Sequence, residues 1–296
     1  MKCTRAMRRS CMIPFRRVLL SAFTLLTAIS PLFAQQLYIT NEPLMTLERL
    51  NIGTGALSTL YNIGAKPDDL TLNSLGQLIY TVPSTGTVYL YDPVTSTNSV
   101  LASGLPYARD LAIEPGGNTM LIAIYSPGKI MRYDFKTKTT VALAQKLGSC
   151  DGITYDAYGN LYAVANHNTI VQIDPSTGAV LKTLTLEAHY KTNGADGLTY
   201  DSFTRSLWAT HAGTTGKGLI QIPVTASGFT TGNFSLYLFT SQLSGSAPDG
   251  LKSDGKGNLY VGAIHTVFVY NIASNTITKS FVVGGADGVS LVPGTY

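Results

Sequence analysis

The 296-residue sequence predicts an all-β fold: a six-bladed β-propeller with four-stranded blades, closed by combining strands from both chain ends in one blade. Three observations predict it. One motif recurs six times, at a spacing of about 40–50 residues, which is the length of a propeller blade. Each full copy reads as two successive hairpins. The sixth copy stops at the C-terminus, and its missing strands stand at the N-terminus. Composition agrees, with 45% apolar residues, 13% charged residues, 29 Gly and 17 Tyr, a β-rich profile unlike that of a disordered chain.

The elements follow in order. QLYIT (36–40), LMTLERLN (44–51) and GALSTLY (55–61) read as the second, third and fourth strands of a blade that lacks its first. Five full copies then begin at residues 68, 109, 150, 195 and 248, and the truncated copy ADGVSLVPG occupies 286–294. The leading acids are Asp69, Asp110, Asp151, Asp196, Asp249 and Asp287, spaced by 41, 41, 45, 53 and 38 residues. First strands alternate as half-buried strands do, and turns such as Tyr158-Gly159-Asn160 join them to the second. Second hairpins follow, as in GTVYLYDP (86–93), GKIMRYDF (128–135) and TVFVYNIASNT (266–276), and Asp-Pro-Ser-Thr-Gly at 174–178 is a clear turn. From Asp287 through Tyr296 and on from Gln35 to Asp69 is a step of 44 residues, one blade. Closure of this kind removes open sheet edges. Trp208 and the strand tyrosines are expected between blades.

Residues 1–34 read as an export signal, with six basic side chains, no acidic one, and an apolar run from Val18 to Ala34. Met12 is an alternative start. A twin-arginine signal at Arg16-Arg17 and an uncleaved anchor are the other readings. Pro31 and the short apolar core argue against a spanning helix, so no stable membrane insertion is expected after cleavage. The remaining chain, 35–296, is one propeller domain, periplasmic or secreted. It retains only Cys150, so no internal disulfide forms. Its 15 basic and 17 acidic residues leave no phosphate-neutralising stripe, which excludes a nucleic-acid partner.

A blade starts beside the central channel, so the six leading Asp residues are expected around one mouth. The residues ending each second strand share that face: His167, His211 and His265. His189, in the long approach to Asp196, and Glu42 join them, as do long insertions at 211–218 and 228–248. Six carboxylates around one channel do not all ionise without compensation. A divalent cation is one remedy. Oxygen ligands suit calcium or magnesium, and mixed Asp/His ligation suits zinc or another transition metal. A raised pKa on one Asp is another, and makes it a general base. The structural alternative is that each Asp bonds to backbone amides of its own or the next blade. Cys150 reads as a buried filler or a nucleophile.

The Asp-Gly hairpins at 150–164, 195–210 and 248–263 resemble the senescence marker protein/gluconolactonase/luciferin-regenerating-enzyme-like family, and more loosely the NHL-repeat propellers. The resemblance implies a metal-dependent hydrolase, often a lactonase, with a Glu, an Asn and an Asp on one divalent ion. Carried over, Asp69 stands for the Glu, Asp196 for the Asn and Asp249 for the Asp, and Asp151 borders the substrate. Asp196, Asp69 and Cys150 each depart from the family's residue.

The function expected is an exported metal-dependent hydrolase of lactonase type. Asp69, Asp196 and Asp249 hold the cation, calcium foremost, with zinc, magnesium or manganese as alternatives. Asp249 or His211 handles the proton. Asp151, His167, His265 and His189 contact a small-molecule substrate. The alternatives are a non-catalytic propeller binding a protein or glycan, and a propeller lyase of the streptogramin-inactivating type.

Overall fold

A computed structural model describes residues 35–186, 194–213, 216–230, 233–243 and 246–292. Residues 1–34, expected to be an export signal, and His189 lie outside the described residues. Among those residues the fold is the six-bladed propeller expected, with antiparallel sheets and no helix.

The first blade in chain order contains β1 (Gln36–Asn41), β2 (Thr46–Asn51) and β3 (Leu57–Asn62). Its innermost strand is β25 (Val289–Leu291), from the other end of the chain. Leu37 pairs with Leu291 and Ile39 with Val289. The circular count of the repeat is thus realised as a mixed-terminus blade.

The next blades comprise β4 (Leu70–Leu72), β5 (Leu78–Val82), β6 (Thr87–Asp92) and β7 (Thr97–Ala102), then β8 (Ala108–Ile113), β9 (Thr119–Ile124), β10 (Lys129–Asp134) and β11 (Thr139–Ala144). They are followed by β12 (Cys150–Tyr155), β13 (Leu161–Ala165), β14 (Thr169–Ile173) and β15 (Val180–Thr185). The fifth starts with β16 (Leu198–Asp201), β17 (Ser206–His211) and β18 (Gly218–Thr225). Its outer partners are β19 (Gly228–Phe229) and β20 (Ser235–Leu238), both on β18. The last holds β21 (Pro248–Ser253), β22 (Asn258–Ala263), β23 (Thr266–Asn271) and β24 (Thr276–Val282).

The insertion behind the 53-residue spacing divides. Gly228–Phe229 pairs with Val224 and Thr225, at the end of β18 remote from His211. That part lies on the far face, away from the expected mouth.

Burial follows position in the blade. β5 is buried throughout, as are β13 and β17, because a second strand is covered on both faces by neighbouring blades. The fourth strands β7 and β11 are largely exposed. The core is divided among the blade junctions. Ile79 and Val88 pack with Leu111, Met120 and Ile122. Trp208 packs with Leu251, Leu259 and Phe268 of the next blade. Leu37 and Ile39 meet Tyr260 and Val267 across the closing junction. Cys150 is fully buried between blades, and burial raises its thiol pKa well above the ordinary value, the opposite of an activated nucleophile.

Candidate functional site

The start of each innermost strand carries a two-residue irregularity that aims side chains into the channel. Arg109 and Asp110 together oppose one residue of β9, because Ala108 pairs with Ile124 and Leu111 with Ile122. Asp151-Gly152 and Asp249-Gly250 do the same in their blades.

Backbone hydrogen bonds extend this equivalence to the rest. The Asp68 amide donates to Thr81 O as the Asp287 amide donates to Thr40 O. The Thr81 amide donates to Asp69 O as Thr40 does to Gly288 O and Thr210 to Gly197 O. The outer tier of the ring is therefore Asp68, Arg109, Asp151, Asp196, Asp249 and Asp287. The second tier is Asp69, Asp110, Gly152, Gly197, Gly250 and Gly288. The expectation of six equivalent leading Asp residues is corrected: Asp69 and Asp110 stand one residue further along, and Arg109 takes a ring position.

Asp69 and Asp110 behave as the structural alternative described. The Leu111 amide donates to Asp69 Oδ2 at 3.3 Å, and the Ile153 amide of the next blade donates to Asp110 Oδ2 at 2.6 Å. Lys252 Nζ lies 3.9 Å from both carboxylates. Where a blade has glycine instead, the neighbouring backbone fills the space. The Gly152 amide donates to Asp196 O at 2.8 Å, and a Cβ on Gly152 would lie 2.4 Å from that oxygen.

The two tiers together line a small cavity of about 30 Å³, enough for an ion or a water or two. His167 stands beside it in the turn after β13. Its Nδ1 is 3.1 Å from Asp196 Oδ1 and 3.5 Å from Asp151 Oδ2. Asp151 Oδ2 is buried and makes no hydrogen bond. The facing atoms of Asp151, His167 and Asp196 all lie within 4.8 Å of one another. Among the described residues no such group includes Asp69 or Asp249, so the expected ligand set of Asp69, Asp196 and Asp249 does not converge.

Asp249 lines the cavity wall together with Asp287, and each charge disfavours the other. His211 is fully buried at the end of β17, and burial lowers its pKa. It does not line this cavity. His265 is an exposed turn residue away from it.

A larger space of about 280 Å³ adjoins the ring, lined by Glu42, Lys66, Ser84, Asp68, Arg109, Asp249 and Asp287, among others. Sequence reasoning missed Asp68, Arg109, Lys252 and Tyr125. The signal for the first two was present: aligning the copies on Leu70, Leu111 and Ile153 puts Asp68 and Arg109 opposite Asp151.

The electrostatics express the crowding. Burial pushes Asp68 up to about 6, with Arg109 opposing the rise. Burial and then Asp196 push Asp151 up to about 7. Burial and then Asp68 push Asp287 up to about 7. Burial and then Asp287 hold Asp249 well above the ordinary carboxylate range. His167 is raised by its hydrogen bond to Asp196. Arg109 Nη1 pairs with Asp68 Oδ2 at 3.2 Å and Nε approaches Asp151 Oδ1 at 3.7 Å.

These shifts set a pH dependence. Between about pH 4 and 7 the native carboxyls bind more protons than the unfolded chain, so stability falls as pH rises across that window. His167 acts in the same direction. Glu114, held low despite burial by its bidentate pair with Arg132, acts only below the window. Thermal scans in a chelator should give a higher Tm near pH 5 than near pH 7.5. An equal or lower Tm at pH 5 would contradict the crowded-acid description.

No known family profile matches the chain, and no curated protein sequence matches it. Solved structures do resemble it. One is the nidogen/laminin complex, with TM-score 0.70 and 17% identity over 87% of this chain and 98% of that chain. Another is virginiamycin B lyase from Staphylococcus aureus, with TM-score 0.60 and 15% identity over 84% of this chain and 80% of that one. A streptogramin B lyase structure gives TM-score 0.56 and 15% identity over 86% and 75%. At these identities the likeness is one of fold.

Proposed function

We propose that this propeller holds a divalent cation at its channel mouth through Asp151, His167 and Asp196 and hydrolyses a small molecule, of lactone type, in the adjoining cavity. The observation that carries the reading is the convergence of those three donors around the buried, unsatisfied Asp151 Oδ2. The donors fit a cation in charge and kind. With an imidazole among them, zinc or manganese is favoured over the calcium an all-carboxylate set would take.

The space divides the work. Two of the three donors, Asp151 and Asp196, line the cavity of about 30 Å³, and the space of about 280 Å³ suits a small substrate. A cation bound there supplies Lewis-acid polarisation and makes a nucleophile available near neutral pH. Asp249 lies on the wall between the two spaces. Its burial and the neighbouring Asp287 charge raise its pKa, which suits it to take up and return a proton. Arg109, fixed between Asp68 and Asp151, offers the one guanidinium of the ring to an oxygen of the substrate.

Calorimetric titration of the purified protein with calcium, magnesium, manganese and zinc tests this reading. One ion per chain is expected. His167→Ala and Asp196→Asn should each weaken binding about a hundredfold through loss of a ligand, about 2.7 kcal/mol, while Asp69→Asn should leave affinity unchanged. Absence of binding by all four ions would sink it. Turnover of a lactone panel in ¹⁸O-water then separates hydrolysis from the elimination of a lyase, because only hydrolysis incorporates the label. The neighbouring lyase structures favour keeping that second reading. A protein- or glycan-binding propeller predicts no turnover and tolerance of Asp249→Ala.

A further inference from the structure

We infer that Tyr125 is the positioning residue of this centre: its hydroxyl fixes the His167 imidazole with Nδ1 turned toward Asp151 and Asp196. The inference rests on the cation reading above and adds a residue from another blade. Tyr125 follows β9, 42 residues before His167, and its hydroxyl lies 2.9 Å from His167 Nε2. The two rings are 5.4 Å apart and tilted by 50°.

The Arg109 guanidinium covers the other side of the arrangement, 4.8 Å from the centre of the Tyr125 ring. Arg109 also pairs with Asp68 and approaches Asp151. A closed circuit results: Asp151 to Arg109, Arg109 to Tyr125, Tyr125 to His167, and His167 back to Asp151 and Asp196. Three blades contribute to it.

A support from outside its own blade matters for His167. Asn166 and His167 have φ of 53° and 57°, a tight turn in the left-handed region. The backbone presents the side chain at the mouth, and contacts around the ring set its rotation. A hydroxyl is suited to the partner position because it both donates and accepts. With Nδ1–H facing Asp196, the Tyr125 hydroxyl donates to Nε2. With the Nδ1 lone pair facing a cation, Nε2–H donates to Tyr125. An outer partner of this kind holds a ligating imidazole in orientation and tautomer.

The test is Tyr125→Phe, which keeps the ring beneath Arg109 and removes only the hydroxyl. Two readouts are needed on the full protein. Calorimetry with zinc or manganese should show about tenfold weaker binding or more, with the melting temperature in chelator unchanged. Ring ¹⁵N spectra of the chelated protein should show the His167 Nδ1 and Nε2 signals shifted toward those of a free imidazole. Tyr107→Phe, an exposed neighbour on the same blade, should change neither. Wild-type ring signals in Tyr125→Phe overturn the inference, as does wild-type affinity. Should the wild-type protein bind no cation, the cation reading fails by itself, and the ring spectra still decide whether Tyr125 sets His167.

Discussion

Replacing Gly250 with alanine should cost about 3 kcal/mol or more of stability, the largest effect expected of any single methyl group in the ring. The reason is contact between backbones. A Cβ on Gly250 would lie 1.9 Å from Asp287 O and 3.0 Å from the Gly288 Cα, both in the backbone leading into the innermost strand of the next blade. Those atoms are main chain and cannot rotate away. The conflict is purely steric, since Gly250 is absent from the left-handed residues of the chain. Gly197 faces the same obstacle at 2.1 Å from Asp249 O. Gly76, with φ of 75° and open space around it, is the contrasting case. Alanine there should cost only about 1 kcal/mol, from backbone conformation. Urea unfolding with unchanged m-values separates the two. A Gly250→Ala loss no larger than that at Gly76 would mean the blades are not in such contact.

The second large effect is expected at Lys252. At the same strand position the other blades carry Thr71, Ala112, Thr154, Thr199 and Ser290, so Lys252 alone places a cation there. It is mostly buried and stands 3.9 Å from both Asp69 and Asp110, and burial and then the Asp110 charge hold the Asp69 carboxyl well above the ordinary range. Burial opposes its charge, but Asp69 and then Asp110 raise its pKa. Lys252→Met removes the cation and leaves two adjacent buried carboxyls, which should cost about 3 kcal/mol at pH 7. Adding Asp69→Asn should restore part of this, because an amide can donate to Asp110 without adding charge. If Lys252→Met unfolds within about 0.5 kcal/mol of the wild type, the second tier is not held by this charge. The pair of results would also distinguish the second tier, which binds blades together, from the outer tier proposed to bind a cation.

Much of this molecule was legible in the repeat. The period, the two hairpins per copy and the circular count of one blade length are consequences of local alternation and turn chemistry, and the ring closed as they required. The clustering of acids at one mouth was legible for the same reason, because a repeat copies a position six times. Its register was not. The copies starting at 68 and 109 contain two polar residues where the later ones have Asp-Gly, and aligning on the acid shifted both by one. The pleat and the bulge decide which of two adjacent side chains enters the channel, and that is a property of pairing with the second strand.

The histidines show the same division. All three described histidines stood at equivalent places in the sequence, yet only His167 meets the acids. His211 is drawn into the interior at the end of β17, and His265 is left exposed in its turn. Neighbouring blades, distant in sequence, make that choice. Tyr125 reaches His167 from the preceding blade, and Arg109 reaches Asp68 and Asp151 from between theirs.

The sequence by itself determined the ring, its closure and the sign of the charge around its mouth, because these follow from periodicity and composition. Only the tertiary structure decided which acids brace neighbouring blades through backbone amides and which meet His167. That distinction turns on displacements of a single residue and contacts between strands about 40 residues apart, and no local pattern carries it.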